Sequence, residues 1–259
     1  DMLSLDCIEQ CVEHIGECDI LWHDYTCIYE DNISKGEYVS LLETLHITPD
    51  LAQTKAFHTL ELWEQMDSFS FVHQGLFRYS ILENLRFFTQ LANEDALFGM
   101  ILFAKAQSIR LGNFQGLIYR VHTDSVSAHG EAQGIYRKSY PLFMYDILDG
   151  FGFDDYKVKH YFFSYSCTYV CLGLLDFIST LPSTTPNPLK SKLIAFLQLR
   201  AMYAFGGVSF ESDPKNIRAL LKPLEPYMQK VSFNIKLAYY MPRLYRILKF
   251  IKTIFKRRG

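Results

Sequence analysis

The spacing of hydrophobic residues predicts several helices in the first half of the chain. Residues 3–15 repeat apolar side chains at helical spacing, and Gly16 follows as a C-cap. The apolar side chains near one face of this helix are Leu5, Ile8, Val12 and Ile15. Residues 94–106 give the strongest pattern and carry acidic residues in the first turn, which suits the positive end of the helix dipole. Weaker helical patterns cover residues 34–45 and 78–85.

Runs rich in β-branched and aromatic residues predict short strands between these helices. They cover residues 19–22, 25–29, 68–72, 109–111 and 117–121. A helix followed by a strand at the start of the chain is half of an α/β unit. The pattern therefore predicts that further elements of the same fold precede residue 1.

After about Gly134 the pattern becomes helical throughout. Residues 136–148, 156–180, 189–205 and 214–228 have helical periodicity. The longest apolar run, residues 162–178, is interrupted by serine, threonine and aspartate, which favours a buried helix over a membrane span. The predicted architecture is a mixed α/β piece, residues 1–130, followed by a helical region, residues 131–259.

Composition changes this picture in two ways. The chain has 259 residues and a net charge of −2, so no global positive field would attract nucleic acid. Six cysteines are present, including two pairs spaced four residues apart on predicted helices. Metal-ligand spacing such as CxxC is absent and a disulfide framework suits small secreted domains, so we expect free core thiols in a reducing cytoplasm.

Three groups of residues follow one another in an order that carries functional information. Asp1-Met2-Leu3 precedes the first helix. Glu94-Asp95 opens the strongest helix, after a segment containing Leu85-Arg86-Phe87. A later strand carries Tyr119-Arg120, with His122 and Ser125 following.

Together these groups resemble the second half of family 2 glycosyltransferases, which have the GT-A fold. The resemblance covers about residues 1–130 and is closest to enzymes that build bacterial lipooligosaccharide or other surface glycans. It implies an α/β fold class: a partial GT-A domain followed by a mostly α-helical C-terminal region. It also implies transfer with inversion from a nucleotide-sugar donor to a glycan or lipid-linked acceptor.

The resemblance further implies a role for each matching residue. Asp95 would be the base that deprotonates the acceptor hydroxyl, and Glu94 would bind acceptor hydroxyls or orient its neighbour. Arg120, His122 and Ser125 would bind the donor diphosphate. Asp1 would be the last acid of an Asp-x-Asp run that holds Mg²⁺ or Mn²⁺.

Two departures from the family pattern bear on those roles. Many relatives carry Arg where this chain has His122, so the charge at that position would depend on pH. The first two strands of the nucleotide-binding half and the first acids of the run are not in this sequence, so this piece alone is expected to be inactive.

On the acceptor side, His23 and Asp24 follow the first predicted strand, where α/β sites lie. A structural histidine at a strand end is the alternative.

The C-terminus is strongly basic, since no acidic residue follows Glu225. A helix over about 243–258 places apolar side chains in one stripe flanked by lysine and arginine. This pattern indicates attraction to an anionic membrane surface, and a peripheral location on the cytoplasmic, inner face of the plasma membrane. The alternative is a helix that packs on the domain with a solvated basic face.

Two other classes of function stay open. A non-catalytic membrane-peripheral module derived from a transferase would also fit the missing donor-binding half. A nucleic-acid-binding protein would use the basic tail, but the net negative charge and the placement of the aromatic residues on the apolar stripe disfavour it, so we expect no nucleic-acid partner.

Overall fold

A computed structural model describes residues 1–30, 39–69, 74–83, 85–121 and 140–256, and the side chains up to residue 252. The chain forms two compact units. Unit 1 comprises Asp1–Phe87 and Asp95–Arg137, and unit 2 comprises Phe88–Glu94 and Lys138–Gly259. Unit 1 is mixed α/β and unit 2 is helical, as the pattern predicts.

Unit 1 is built on a mixed sheet whose described strands are β1 (Met2–Leu3), β2 (Ile20–Tyr29), β3 (Gly75–Phe77) and β4 (Ile109–Val121). Their order is β1-β4-β2-β3. The long strands β2 and β4 pair in parallel, while β1 on β4 and β3 on β2 are antiparallel.

Each of the long strands joins two runs that were predicted as separate. The register of β2 against β4 shifts on both sides of Asp24, because β4 carries the extra residues Asn113, Phe114 and Gly116 there. In β4 the polar segment around Asn113 continues the strand without a turn. The polar interruptions that looked like strand ends are therefore places where the pairing register changes within continuous strands.

Helix α1 (Cys7–Ile15) begins four residues later than predicted and ends at Gly16, whose φ of 52° confirms the C-cap. Its buried residues are Cys7, Cys11 and Ile15, while Ile8 and Val12 are exposed. The helix therefore packs on the sheet through its cysteine face, and most of the apolar stripe points away.

Three short helices follow β2: α2 (Leu41–Thr44), α3 (Pro49–Thr54) and α4 (Thr59–Leu62). The predicted helix over 34–45 was too long within the described part of the chain, because Ser40 caps α2 with its side chain and fixes its start there. The predicted strand over 68–72 lies largely outside the described residues. A single 3₁₀ turn, Tyr79–Ile81, stands where a helix over 78–85 was predicted.

Helix α5 (Glu94–Lys105) confirms the strongest prediction and forms the centre of unit 1. Every residue from 96 to 104 is buried, which is typical of a helix covered all round. Phe103 stacks on Phe69 with ring centroids 4.2 Å apart and meets Trp22 edge-on at 5.0 Å.

Unit 2 is organised by two long helices that pack together, α7 (Asp155–Thr180) and α8 (Asn187–Gly206), close to their predicted bounds. Shorter helices complete it: α6 (Tyr145–Gly150), α9 (Ile217–Leu220), α10 (Phe233–Tyr240) and α11 (Pro242–Lys256). The described part of the predicted helix over 136–148 is a 3₁₀ turn followed by α6. The predicted helix over 214–228 is divided between α9 and the 3₁₀ segment Lys222–Lys230, because Pro223 and Pro226 interrupt it.

By length and composition, α7 is the one helix in the described part of the chain that could cross a membrane. Nearly half of its most apolar window, 44%, is already buried inside unit 2. Its buried residues include Tyr161, Cys167 and Cys171, in the same apolar cluster as Phe205 of α8.

Candidate functional site

The sheet brings Asp1 and Arg120 together although they are far apart in sequence. Pairing of β1 with β4 sets Met2 opposite Ile118, which places Asp1 beside the outer end of β4. There the Asp1 carboxylate accepts a hydrogen bond from the backbone N–H of Arg120 at 2.9 Å. The Arg120 guanidinium is 60% exposed and lies 3.8 Å from a carboxylate oxygen of Glu30.

Glu94 and Asp95 occupy the first turn of α5, where unpaired backbone N–H groups and the helix dipole favour negative charge. Both residues are half-buried. Asn93 before them has a φ of 59°, so the chain turns sharply into the helix. Within the described ranges, neither carboxylate has a hydrogen-bond or ion-pair partner.

His122 and Ser125 lie outside the described residues, so their position relative to Arg120 stays a prediction. His23 and Asp24 are described, and both are buried, with 1% and 8% of their surface exposed. One Asp24 oxygen accepts from the backbone N–H of Tyr25 at 2.9 Å, and the other accepts from that of Leu41 at 2.7 Å. Asp24 thereby ties β2 to the start of α2, and an acceptor-facing role fits neither side chain.

The structure reveals a polar cluster that the sequence alone did not indicate. Cys7 and Cys11 of α1 meet His23 of β2, and their ligand-type atoms all lie within 4.8 Å of one another. The Cys7 sulfur is 3.5 Å from His23 Nε2, and His23 Nδ1 is 2.8 Å from the backbone oxygen of Asp24. Since a carbonyl oxygen only accepts, Nδ1 donates that hydrogen bond and Nε2 presents its lone pair to Cys7.

Glycine on the neighbouring strand makes room for this cluster. A Cβ at Gly116 would lie 2.7 Å from both the Cys7 sulfur and His23 Nε2, closer than side-chain carbons approach. The backbone oxygen of Gly116 accepts a hydrogen bond from Ser4 N–H, three residues before α1 begins. The glycine therefore lets the helix approach the sheet closely at this point.

Burial favours the uncharged forms of His23 and Cys11. Desolvation lowers the pKa of His23 below 6.5, and the hydrogen bond to Asp24 opposes this only in part. Desolvation also raises the pKa of Cys11 to about 12, and the neighbouring Cys7 adds to that shift. The residues that could have hinted at it are a histidine within a strand-like apolar run and two cysteines four residues apart on the preceding predicted helix, but the sequence does not show that they meet.

All six cysteines are free thiols, as expected, and five of them are buried, with Cys27 half-buried. The second pair, Cys167 and Cys171, lies inside unit 2. Cys171 donates to the backbone oxygen of Leu197 at 3.7 Å, and the charge of Arg200 acts on Cys167.

Helix α11 exposes a stripe of large apolar side chains on unit 2. They are Leu244, Ile247, Leu248, Phe250 and Ile251, each between 39% and 67% exposed. Tyr245, on the opposite side, packs against the core of the unit. The predicted helix over 243–258 is thus confirmed within the described bounds of α11.

Comparison with protein-family models, with curated proteins and with solved structures found no match to this chain.

Proposed function

We propose that this chain is part of an inverting, metal-dependent glycosyltransferase with a GT-A-like domain. It would transfer a sugar from a nucleotide-sugar donor to a bacterial surface-glycan acceptor. The observation that carries the proposal is the pairing of β1 with β4. It sets the Asp1 carboxylate against the backbone N–H of Arg120, so that a residue implied in holding the metal neighbours one implied in binding the donor diphosphate.

The described residues supply only part of the ligands that a hard divalent cation needs. Asp1 offers carboxylate oxygens, the ligand type that Mg²⁺ and Mn²⁺ prefer. One carboxylate with diphosphate oxygens and water is a common arrangement for Mg²⁺. The metal would stabilise the negative charge of the leaving diphosphate. The exposed guanidinium of Arg120 would contact the same phosphate oxygens.

Asp95 would be the general base. A base needs a carboxylate that is within reach of the acceptor hydroxyl and not already committed to another group. Asp95 is half-buried at the start of a buried helix and has no partner among the described residues, which supports this role. Glu94 beside it would hold acceptor hydroxyls.

Helix α11 would attach the enzyme to the membrane that carries its acceptor. Its exposed apolar stripe is flanked by Arg243 and Lys252, whereas Arg246 and Lys249 donate to backbone oxygens of unit 2. Apolar insertion together with attraction to anionic headgroups is the binding mode of interfacial helices.

The test is turnover of nucleotide sugars with Mn²⁺ by the protein as its source encodes it, including any sequence that precedes Asp1. Asp95→Asn should lower kcat by roughly 10²- to 10⁴-fold, the contribution of a general base, with little change in KM. Asp50→Asn is the matched control, since Asp50 also lies in a helix first turn of unit 1. That variant should keep full turnover.

Absence of turnover across a donor panel, in a folded protein that still binds anionic vesicles, would contradict the proposal. It would favour the non-catalytic membrane-peripheral module instead. Turnover that survives Asp95→Asn would keep the enzyme class but remove Asp95 as the base.

A further inference from the structure

We propose that Cys7, Cys11 and His23 form a buried binding site for a thiophilic d¹⁰ cation, Zn²⁺ or Cu⁺. This site is separate in residues and in ligand chemistry from the carboxylate site proposed for Mg²⁺ or Mn²⁺. It stands independently of the transferase proposal, because it rests only on the packing of α1 against the sheet.

The geometry of the three side chains suits one ion. Zinc binds sulfur at about 2.3 Å and imidazole nitrogen at about 2.0–2.1 Å, so tetrahedral ligands lie about 3.5 Å apart for S and N and about 3.8 Å for two sulfurs. The observed distance from Cys7 Sγ to His23 Nε2 is 3.5 Å, and all three ligand atoms lie within 4.8 Å. Small side-chain rotations would bring them onto a common ion.

The histidine is already oriented as a ligand. Metal-bound imidazoles almost always donate their second N–H to a carboxylate, a backbone carbonyl or water, which fixes the ring and its tautomer. His23 Nδ1 donates to the backbone oxygen of Asp24 at 2.8 Å, and Nε2 faces the cysteines.

Charge balance favours a divalent ion at a site this buried. Two thiolates and a neutral imidazole would cancel the charge of Zn²⁺, whereas Cu⁺ would leave one uncompensated negative charge. Cu⁺ accepts soft thiolate ligands at low coordination number. Within the described part of the chain no fourth cysteine, histidine or carboxylate joins the group, so Zn²⁺ would take a water or backbone oxygen as its fourth ligand.

A second buried cysteine pair in the chain serves as a control for metal binding by the first. Cys167 and Cys171 share the four-residue helical spacing and the burial of Cys7 and Cys11. Arg200 and a backbone carbonyl stand near that pair in place of an imidazole. A cation repels a guanidinium, so this second pair should bind no ion.

The experiment measures metal binding by the reduced full chain in equilibrium dialysis, with Zn²⁺ and Cu⁺ in separate arms. We expect one ion per chain in at least one arm, and the arm identifies the ion. Cys7→Ser with Cys11→Ser should weaken binding by more than about 100-fold, beyond the 10–100-fold typical of losing an outer-shell partner. Cys167→Ser with Cys171→Ser should leave binding unchanged.

A measurement without mutation guards against variants that fail to fold. Co²⁺ added to the wild-type chain should give the sulfur-to-cobalt charge-transfer absorption of a thiolate site, and Zn²⁺ should remove it. Failure to bind either ion stoichiometrically, with no thiolate absorption from Co²⁺, would overturn the proposal. So would equal loss of binding in the two double variants.

Discussion

Each of the two units buries a pair of cysteines spaced four residues apart on one helix, yet the two pairs have different surroundings. In unit 1, Cys7 and Cys11 face His23 across a helix–sheet contact that a glycine keeps narrow. In unit 2, Cys167 and Cys171 lie in an apolar helix–helix core beside Arg200. The same local spacing thus yields a candidate metal site in one unit and ordinary packing in the other, since another element supplies the third group.

The largest effect is expected from a substitution at the narrow contact between α1 and the sheet in unit 1, which should remove the difference between the two cysteine pairs. Gly116→Ala would push a Cβ into the Cys7 sulfur and His23, and overpacking of this kind costs about 1–3 kcal/mol of unfolding free energy. Metal binding should weaken with it. Urea unfolding and Zn²⁺ dialysis measure the two effects.

Gly206→Ala in α8 of unit 2 is the matched control. There the nearest atom to an added Cβ is the Ser164 hydroxyl at an ordinary 3.6 Å. Alanine in place of a helical glycine stabilises by up to about 1 kcal/mol. A Gly116→Ala chain as stable as wild type would contradict the close approach of α1 to the sheet.

The buried thiol of Cys167 in unit 2 should make the folding stability depend on pH in alkaline solution. Burial raises the pKa of Cys167 from 9.0 to about 11. Between these values the unfolded chain has lost the thiol proton and the folded chain retains it. The unfolded state then binds fewer protons, so stability falls as pH rises, by up to about 1.4 kcal/mol per pH unit.

Cys167→Ala should remove the part of the alkaline decrease in unfolding free energy that this thiol causes. Urea unfolding of the variant and of wild type at pH 8 to 11 measures the difference. Cys27→Ala, at a half-buried thiol of β2, should retain it. Identical pH profiles for wild type and Cys167→Ala would show that the folded state does not protect this thiol.

The smallest effect concerns the membrane surface proposed for unit 2. Each basic residue near an anionic bilayer contributes about 1 kcal/mol, so Lys252→Gln on α11 should lower partitioning into phosphatidylserine-containing vesicles about fivefold. Lys159→Gln, at an exposed lysine of α7, is the control and should have no effect. Equal partitioning of both variants would favour a helix with a merely solvated basic face.

Much of the fold could be predicted from local pattern. Helices α5, α7 and α8 followed their periodicity closely, and the predicted change from mixed α/β to helical texture agrees with the observed elements. The long strands were harder, because polar residues such as Asn113 and Asp24 interrupt the apolar runs without ending the strands. A short hydrogen-bonding side chain inside a sheet looks, in sequence, like the beginning of a turn.

The residues of the candidate sites were also predictable only in part. The order of Asp1, Glu94-Asp95 and Arg120 suggests a transferase site, which stays a prediction; the structure places the Asp1 carboxylate against the backbone N–H of Arg120. His23 and Asp24 were expected at an acceptor-facing position, but the sheet buries both. A position near a strand end says nothing about which layer will cover it.

Local sequence was enough to locate the longest helices, α5, α7 and α8, and to show which residue types are available for chemistry, because helical periodicity and capping act over a few neighbouring residues. Only the tertiary structure decided which face of α1 packs on the sheet and which cysteine pair meets an imidazole. Those outcomes depend on contacts between α1, β2 and β4, and close packing selects among faces that local spacing leaves equivalent.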